Sequence, residues 1–282
     1  MADAIRSVFA QTFHDWELIL VDDGSTDRSL EIAHSIKDPR VRVLSDGQNR
    51  KLPYRLNQIT AEARHDLIGR MDADDLISPT RFAKQLAILN AHPEIDLVTT
   101  GVCSITNDYR PIGVRCGSPD ELITGRKLLL GKCAVVHAAI LGRKAWFLRN
   151  PYDADIHVAQ DYELWLRAFA NNDFKLYILN EPIYYYREEN NVTAEKLLKA
   201  YHNQINLIKK YGFIGFNRYG LGLAIAKFHC KCFIVIGIDF FKKTDLLLKK
   251  RNTPITEESL LQHFNMEIEM IQNTNLPRQD GI

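Results

Sequence analysis

Acidic residues gather where two apolar runs end. Glu17 to Val21 runs into Asp22-Asp23-Gly24-Ser25-Thr26-Asp27, and Asp66 to Met71 runs into Asp72-Ala73-Asp74-Asp75. In open α/β sheets ligands bind beyond the carboxyl ends of the strands, so these acids stand where a ligand would sit. Two carboxylates separated by one residue as the chain leaves a strand project to the same side. Asp72 and Asp74 could therefore share one hard cation, Mn²⁺ or Mg²⁺, which in turn holds an anionic diphosphate that bare carboxylates would repel. The bland alternative is that the acids only end strands and cap the following helices. It competes evenly at Asp22-Asp23 and weakly at the second cluster, where three carboxylates in four residues repel unless compensated. A third acid, Asp161, heads a run in which Tyr162, Trp165, Leu166 and Phe169 fall at i, i+3, i+4 and i+7, an amphipathic helix. A carboxylate at that N-terminus suits the helix dipole, and it is equally placed to act as a general base.

The elements that must position these acids alternate between strand-like and helix-like, as in an α/β domain. Ile5, Val8, Phe9 and Thr12 mark one face of an opening helix. After the first acidic turn come a helix from Arg28 to Ile36, a strand Val41 to Leu44 and a helix from Pro53 to Arg64. Ser78-Pro79 reads as a cap followed by proline in the first turn of a helix that His92-Pro93 stops. Asp96 to Val102 reads as a strand, Thr106 to Gly117 as a hairpin, Asp120 to Leu130 as a helix and Ala138 to Leu141 as a short strand. Pro182 to Arg187 is an aromatic strand, and Thr193 to Tyr211 a helix.

The chain has 282 residues, 46% hydrophobic and 25% charged, with a formal net charge of +1. That composition fits one catalytic domain plus an appendage and gives no reason to expect nucleic-acid binding. Five cysteines show neither a disulfide framework nor a zinc spacing, consistent with thiols in a reducing cytoplasm. Met1-Ala2-Asp3 leads directly into the amphipathic pattern, with no signal-peptide profile. Phe213 to Phe241 is apolar and is followed by Lys242, Lys243, Lys249, Lys250 and Arg251. Lys227, Lys231 and Asp239 interrupt it, so its longest uncharged run is shorter than a membrane span. It fits either an interfacial anchor or a hydrophobic helix packed on the catalytic domain.

Taken in order, Leu20-Val21-Asp22-Asp23-Gly24-Ser25-Thr26-Asp27, Arg70-Met71-Asp72-Ala73-Asp74-Asp75 and Gln160-Asp161-Tyr162-Glu163-Leu164-Trp165-Leu166 resemble the ordered signatures of family 2 inverting glycosyltransferases with the GT-A fold. The resemblance extends over residues 2 to 211. It implies an α/β domain at 1–212, a Rossmann-like mixed and mostly parallel sheet flanked by helices, with a helical C-terminal segment at 213–282. It also implies a cytoplasmic enzyme, peripheral at the inner face of the cytoplasmic membrane if 213–282 is an anchor. Such an enzyme moves a sugar from a nucleotide-sugar donor, a UDP-sugar before a GDP- or dTDP-sugar, to a saccharide or undecaprenyl-linked saccharide. The setting implied is bacterial surface-polysaccharide assembly, as in O-antigen or capsule.

Residue by residue, Asp22 is similar to the aspartate that hydrogen-bonds the nucleotide base, with Asp23 beside it. Asp72 resembles the residue at the ribose or metal, Asp74 the direct metal ligand and Asp161 the catalytic base, with Asp75 in support. Asn49 and Asn57 match a stretch of the form Asn-x-Gly-Leu-x-x-x-x-Asn, except that Lys51 stands where glycine is usual, which puts the loop's backbone geometry in question. Arg70 faces either the diphosphate or a structural ion pair. His137 is similar to a histidine of the acceptor-side wall, although a lone histidine also suits a core. Tyr186-Arg187 resembles a Tyr-Arg-x-His element near the phosphates, with Glu189 in the histidine's place. The family's first strand, with its Pro-x-Tyr-Asn-like turn, has no counterpart after Met1. We therefore expect a fragment, a start placed too far downstream, or an incomplete pocket with two strand edges left unpaired. Two rival functions are a non-catalytic, nucleotide-binding partner subunit and a nucleotidyltransferase, which would want a Gly-rich phosphate loop that is not seen.

Overall fold

A computed structural model describes residues 1–188, 193–240 and 252–277. The opening amphipathic segment is helix α1 (Ala2–Phe9), which buries Ile5 and Val8. Strand β1 (Leu18–Val21) follows, then α2 (Ser29–Ser35), β2 (Val41–Leu44), α3 (Leu52–Glu62) and β3 (Leu67–Gly69). A two-residue strand β4 (Leu76–Ile77) leads into α4 (Arg81–Ala91), β5 (Leu97–Ile105) and β6 (Pro111–Arg115). Next come α5 (Gly125–Leu129), β7 (Leu141–Arg143), α6 (Lys144–Arg149), α7 (Gln160–Ala170), β8 (Leu176–Arg187) and α8 (Ala194–Tyr211). The last described elements are α9 (Arg218–Phe240) and α10 (Glu258–Gln272).

A mixed sheet of order β3-β7-β5-β8-β4, with β6 paired to the far half of β5, forms the centre. Only β5–β8 is a parallel pairing in this sheet; the short strands β4, β6 and β7 run against their neighbours. The expected predominance of parallel pairing is thus confined to β1–β2 and β5–β8, because short returning strands fill the gaps. Strand β5 is buried along all nine residues, as a strand covered on both faces must be. The parallel pair β1–β2 forms its own sheet. Among the described residues, neither β1 on its side away from β2 nor β3 on its side away from β7 has a strand partner. Residues of β1 and β3 line one cavity of about 730 Å³.

Several boundaries differ from the sequence reading. Ser78-Pro79 does not start α4: Ser78 is fully buried, its hydroxyl lies within reach of Thr80 and Glu267, and the helix begins two residues later. Residues 137–139 form a 3-10 turn rather than a strand, and β7 starts at Leu141. The helix expected over Asp120 to Leu130 shortens to Gly125–Leu129.

The C-terminal helices share cores with the sheet domain. Ala224 and Phe228 of α9 join Leu128, Leu166, Ile205 and Ile208 in one cluster. Phe264, Ile268 and Ile271 of α10 cover Leu76, Cys103 and Tyr185. Glu267 pins that contact, accepting the Tyr185 hydroxyl at 2.5 Å and the Ser78 hydroxyl at 3.1 Å.

Candidate active site

The turn after β1 is built by its own acids. The Asp22 carboxylate accepts the amides of Gly24 (3.3 Å) and Ser25 (3.0 Å) and the Ser45 hydroxyl (2.9 Å). The Ser25 side chain leads these contacts in holding its carboxyl below the usual range. Gly24 has φ +78°, and a Cβ there would meet the Gln48–Asn49 backbone at 3.2 Å, so only glycine lets the two loops touch. Asp23 accepts the amides of Arg50 (2.7 Å) and Lys51 (3.1 Å) and Nε of Arg55 (2.9 Å). Arg55, 3% exposed, also reaches Asp46 and the Gln48 carbonyl. Asp22 and Asp23 thus organise the loop that carries Asn49, which is itself exposed.

Lys51 settles the question raised by its place in the glycine position. It adopts φ 71° and ψ 156°, a conformation that belongs almost wholly to glycine, so the loop keeps its path at the cost of strain.

Beyond β3 the acids separate in role. Asp72 is paired with Arg70 at 2.6 Å, and its amide donates to the Tyr184 hydroxyl oxygen at 3.1 Å. Asp74 is exposed. Asp75 turns inward, 2% exposed, accepting the Arg187 amide (2.8 Å) and the Tyr184 hydroxyl (2.7 Å). Burial pushes the Asp75 carboxyl up to about 7. The Arg187 guanidinium lies over the Tyr109 ring at 4.7 Å. Glu189 lies outside the described residues.

Asp161 is the second residue of α7, whose N-cap Ala159 sits in the left-handed region at φ 59°. About a third of its side chain, 32%, is open. Burial raises its carboxyl, opposed by the Tyr162 amide and by Arg70. Its neighbour is His137, with Nδ1 3.8 Å from Asp161 Oδ2. Burial, and then Arg70, push the His137 imidazole well down, so it is neutral. His137 Nε2 meets the Tyr152 hydroxyl at 2.7 Å.

The structure therefore brings Arg70, Asp72, His137 and Asp161 into one electrostatic neighbourhood, while Asp22, Asp23, Arg70 and Asp72 line the 730 Å³ cavity. Trp16 Nε1, Arg70 Nε and Arg81 Nη1 are buried without a partner among the described residues, and all three residues line that cavity. Sequence reasoning passed over Tyr152 and Arg55. Asn-Pro-Tyr carries no pattern that marks Tyr152, and Arg55 reads as a solvated helix residue.

The family model described as "Glycosyl transferase family 2" matches residues 1–148. The chain belongs to this family. It is 31% identical over 195 residues to the putative glycosyltransferase EpsE of Bacillus subtilis, covering 67% of this chain and 68% of that one. It is 28% identical over 207 residues to the O-antigen biosynthesis glycosyltransferase WbnJ of Escherichia coli, covering 70% and 78%. Two other relatives are longer, and the chain spans 23% and 33% of their lengths. Among solved structures, S. aureus TarS 1-349 in complex with UDP aligns with a TM-score of 0.57 at 17% identity, covering 96% of this chain and 84% of that one. A mannosyltransferase from Pyrobaculum calidifontis in complex with GDP-Man and Mn²⁺ gives 0.56 at 12% identity, covering 96% and 80%. This glycosyltransferase has the GT-A fold, a mixed sheet flanked by helices with a helical C-terminal region.

Proposed function

We propose that this family 2 enzyme transfers a sugar with inversion from a nucleotide sugar, a UDP-sugar foremost, to a saccharide or undecaprenyl-linked saccharide in bacterial surface-polysaccharide assembly. The observation that carries the proposal is the meeting of Asp161 with His137, Arg70 and Asp72 beside the cavity that Asp22 and Asp23 also line. The relative named for O-antigen biosynthesis supports the polysaccharide setting, and the neighbour bound to UDP supports the donor. In this reading Asp161 takes the proton of the acceptor hydroxyl as that oxygen attacks the anomeric carbon opposite the leaving group. A raised carboxyl is a stronger base than an ordinary one. Asp22, Asp23, Asn49, Arg70 and Asp72 hold the nucleotide and diphosphate, and Arg187 lies on the phosphate side.

Among the described residues no three His, Cys, Asp or Glu side chains gather as a metal cage. Asp74 is exposed and Asp72, paired with Arg70, is partly exposed, so the two offer hard oxygen ligands, while Asp75 is committed elsewhere. That donor set fits Mn²⁺ or Mg²⁺, ions that complete their shells with substrate phosphate and water. When bound, the ion supplies positive charge against the departing nucleoside diphosphate.

A panel of UDP-, GDP- and dTDP-sugars, assayed for transfer and for donor hydrolysis, tests the proposal. Asp161→Ala should lower turnover about 10²- to 10⁴-fold while keeping UDP affinity. Asp74→Ala should lose turnover and the metal dependence of UDP binding. Unchanged turnover in Asp161→Ala rejects the assigned base.

We also place the C-terminal segment at the inner face of the cytoplasmic membrane. The expected interruption by charges does not prevent Arg218–Asp239 from forming one helix long and apolar enough, by length and composition, to cross a membrane; its mean hydropathy is 1.8 and 22% of it is buried. Tyr219, Leu223, Phe233, Ile234 and Ile236 are exposed on α9, and the basic run from Lys242 to Arg251 follows. Apolar surface next to cationic residues suits an anionic bilayer. The full chain should sediment with anionic vesicles and not with neutral ones; a full chain that stays in the supernatant with both rejects the placement.

A further inference from the structure

We infer that His137 is a positioning residue that holds the Asp161 carboxylate through an Nδ1–H, and that Tyr152 fixes the tautomer this requires. The inference rests on reading Asp161 as the base. Three separate parts of the chain converge to build it. His137 lies in the 3-10 turn before β7, and Asp161 lies in the first turn of α7. Tyr152 lies between them, and its backbone is gripped by α3. Asn57 donates its side-chain amide to the Tyr152 carbonyl at 2.9 Å and accepts the Tyr152 amide at 2.9 Å. One side-chain amide thus fixes both backbone groups of a residue 95 positions away.

The imidazole is held on its faces and edge as well. Its ring centroid lies 5.6 Å from that of Tyr152 and 5.8 Å from the Trp165 ring, which stands edge-on at 76°. The His137 side chain is 9% exposed, so it has little freedom to swing. A neutral imidazole has one donor and one acceptor nitrogen. The Tyr152 phenol is buried, and burial raises it far above its usual range, so its proton stays on and needs an acceptor. His137 Nε2, 2.7 Å away, is that acceptor. The imidazole proton then sits on Nδ1, on the side of Asp161. The opposite tautomer would set an Nδ1 lone pair against an anionic carboxylate. Nearby Arg70 disfavours imidazolium, which leaves the neutral Nδ1–H form.

At 3.8 Å the Nδ1–Oδ2 contact is too long for a hydrogen bond. Catalytic hydrogen bonds are often long without ligands and shorten in the Michaelis complex. A small rotation of Asp161 would close the gap and leave its second oxygen for the acceptor hydroxyl. His137 and Tyr152 then act through Asp161 without touching the reacting atoms.

The test uses the full chain. Nitrogen-15 NMR of labelled histidine, with the His137 signals assigned by their loss in His137→Asn, reads the tautomer without any turnover. We expect protonated Nδ1 in the parent and loss of that preference in Tyr152→Phe, which keeps the ring. Protonated Nε2 in the parent overturns the inference, whatever becomes of the assignment of Asp161. In kinetics, His137→Leu should lower kcat about 10- to 100-fold, the range found when groups that orient a reactive ligand are removed, with UDP affinity unchanged. His137→Asn should recover most of that loss, because asparagine carries its Nδ2–H near the place of Nδ1. Equal kcat in the Leu and Asn variants, both folded by circular dichroism, overturns the inference. Activity retained in Asp161→Asn would instead overturn the reading on which it rests.

Discussion

Lys51 occupies backbone space that glycine fills without strain, and replacing it tests whether the donor-side loop is held under tension. At φ 71° and ψ 156° a residue with a Cβ costs about 1–3 kcal/mol. Glycine removes that cost but gives the unfolded chain more freedom, which takes back about 0.4–1 kcal/mol. The Lys51 side chain is exposed, so little packing is lost with it. Lys51→Gly should therefore stabilise the protein by about 0.5–2 kcal/mol, which raises the melting temperature by a few degrees at this chain length. Lys51→Ala keeps the Cβ and should match the parent within about 0.5 kcal/mol. The strain persists because Asp23 grips the Arg50 and Lys51 amides. In an Asp23→Ala background the loop can relax, and the gain from glycine should shrink. Urea and thermal unfolding of the four variants, followed by circular dichroism, read these differences. If Lys51→Gly is no more stable than the parent, or Lys51→Ala gains as much as Lys51→Gly, the strain assignment fails.

Two further outcomes follow from buried carboxylates. For Asp161 the folded-state carboxyl is raised above its unfolded value of about 3.9, so its contribution to stability is fully present below that value and is lost as pH rises through the folded value. Asp161→Asn should thus become progressively more stable relative to the parent from pH 4 to pH 8 in thermal melts without metal or donor, while losing transfer activity; parallel pH curves would contradict the burial argument. Glu267→Ala should cost about 2–4 kcal/mol in urea unfolding, because the buried Tyr185 and Ser78 hydroxyls lose their shared acceptor, whereas Glu267→Gln should cost less. Equal costs for Ala and Gln would mean that packing, not hydrogen bonding, joins α10 to the sheet.

The acids were legible in the sequence because each sits at a local boundary, the end of an apolar run or the start of a helical period. β1, β2, α3 and α7 fall close to where that periodicity places them. What escaped the sequence is what depends on distant partners. β4 is two residues long and exists only because Leu76 and Ile77 pair with Tyr185 and Tyr184. Ser78 looks like a helix cap, yet it is buried against α10 from the far end of the chain. His137 in isolation suited a core somewhat better than a wall. Only Tyr152, fixed across 95 positions by Asn57, turns it toward Asp161.

The same division explains where the backbone is strained. Among the described residues four non-glycine residues have positive φ, and two of them, Lys51 and Ala159, each lie two residues from a candidate site residue, Asn49 and Asp161. Lys51 shapes the loop that carries Asn49, and Ala159 turns the chain into the helix that begins with Gln160 and Asp161. Local preference opposes both conformations, since each would be easier for glycine. They persist because tertiary contacts over-determine them: Asp23 clamps the first loop. At the second, the Ala159 carbonyl accepts the Glu163 amide, while Glu163, itself 1% exposed, receives the Tyr211 hydroxyl from α8 at 2.5 Å. Strained residues held by the fold cluster where geometry outweighs local preference, as at ligand clamps and active sites. Relieving it at Ala159 should therefore affect the placement of Asp161 more than relieving it at Lys51 affects UDP binding, because the base must be aimed at a reacting atom, whereas the loop has only to stay close to the nucleotide.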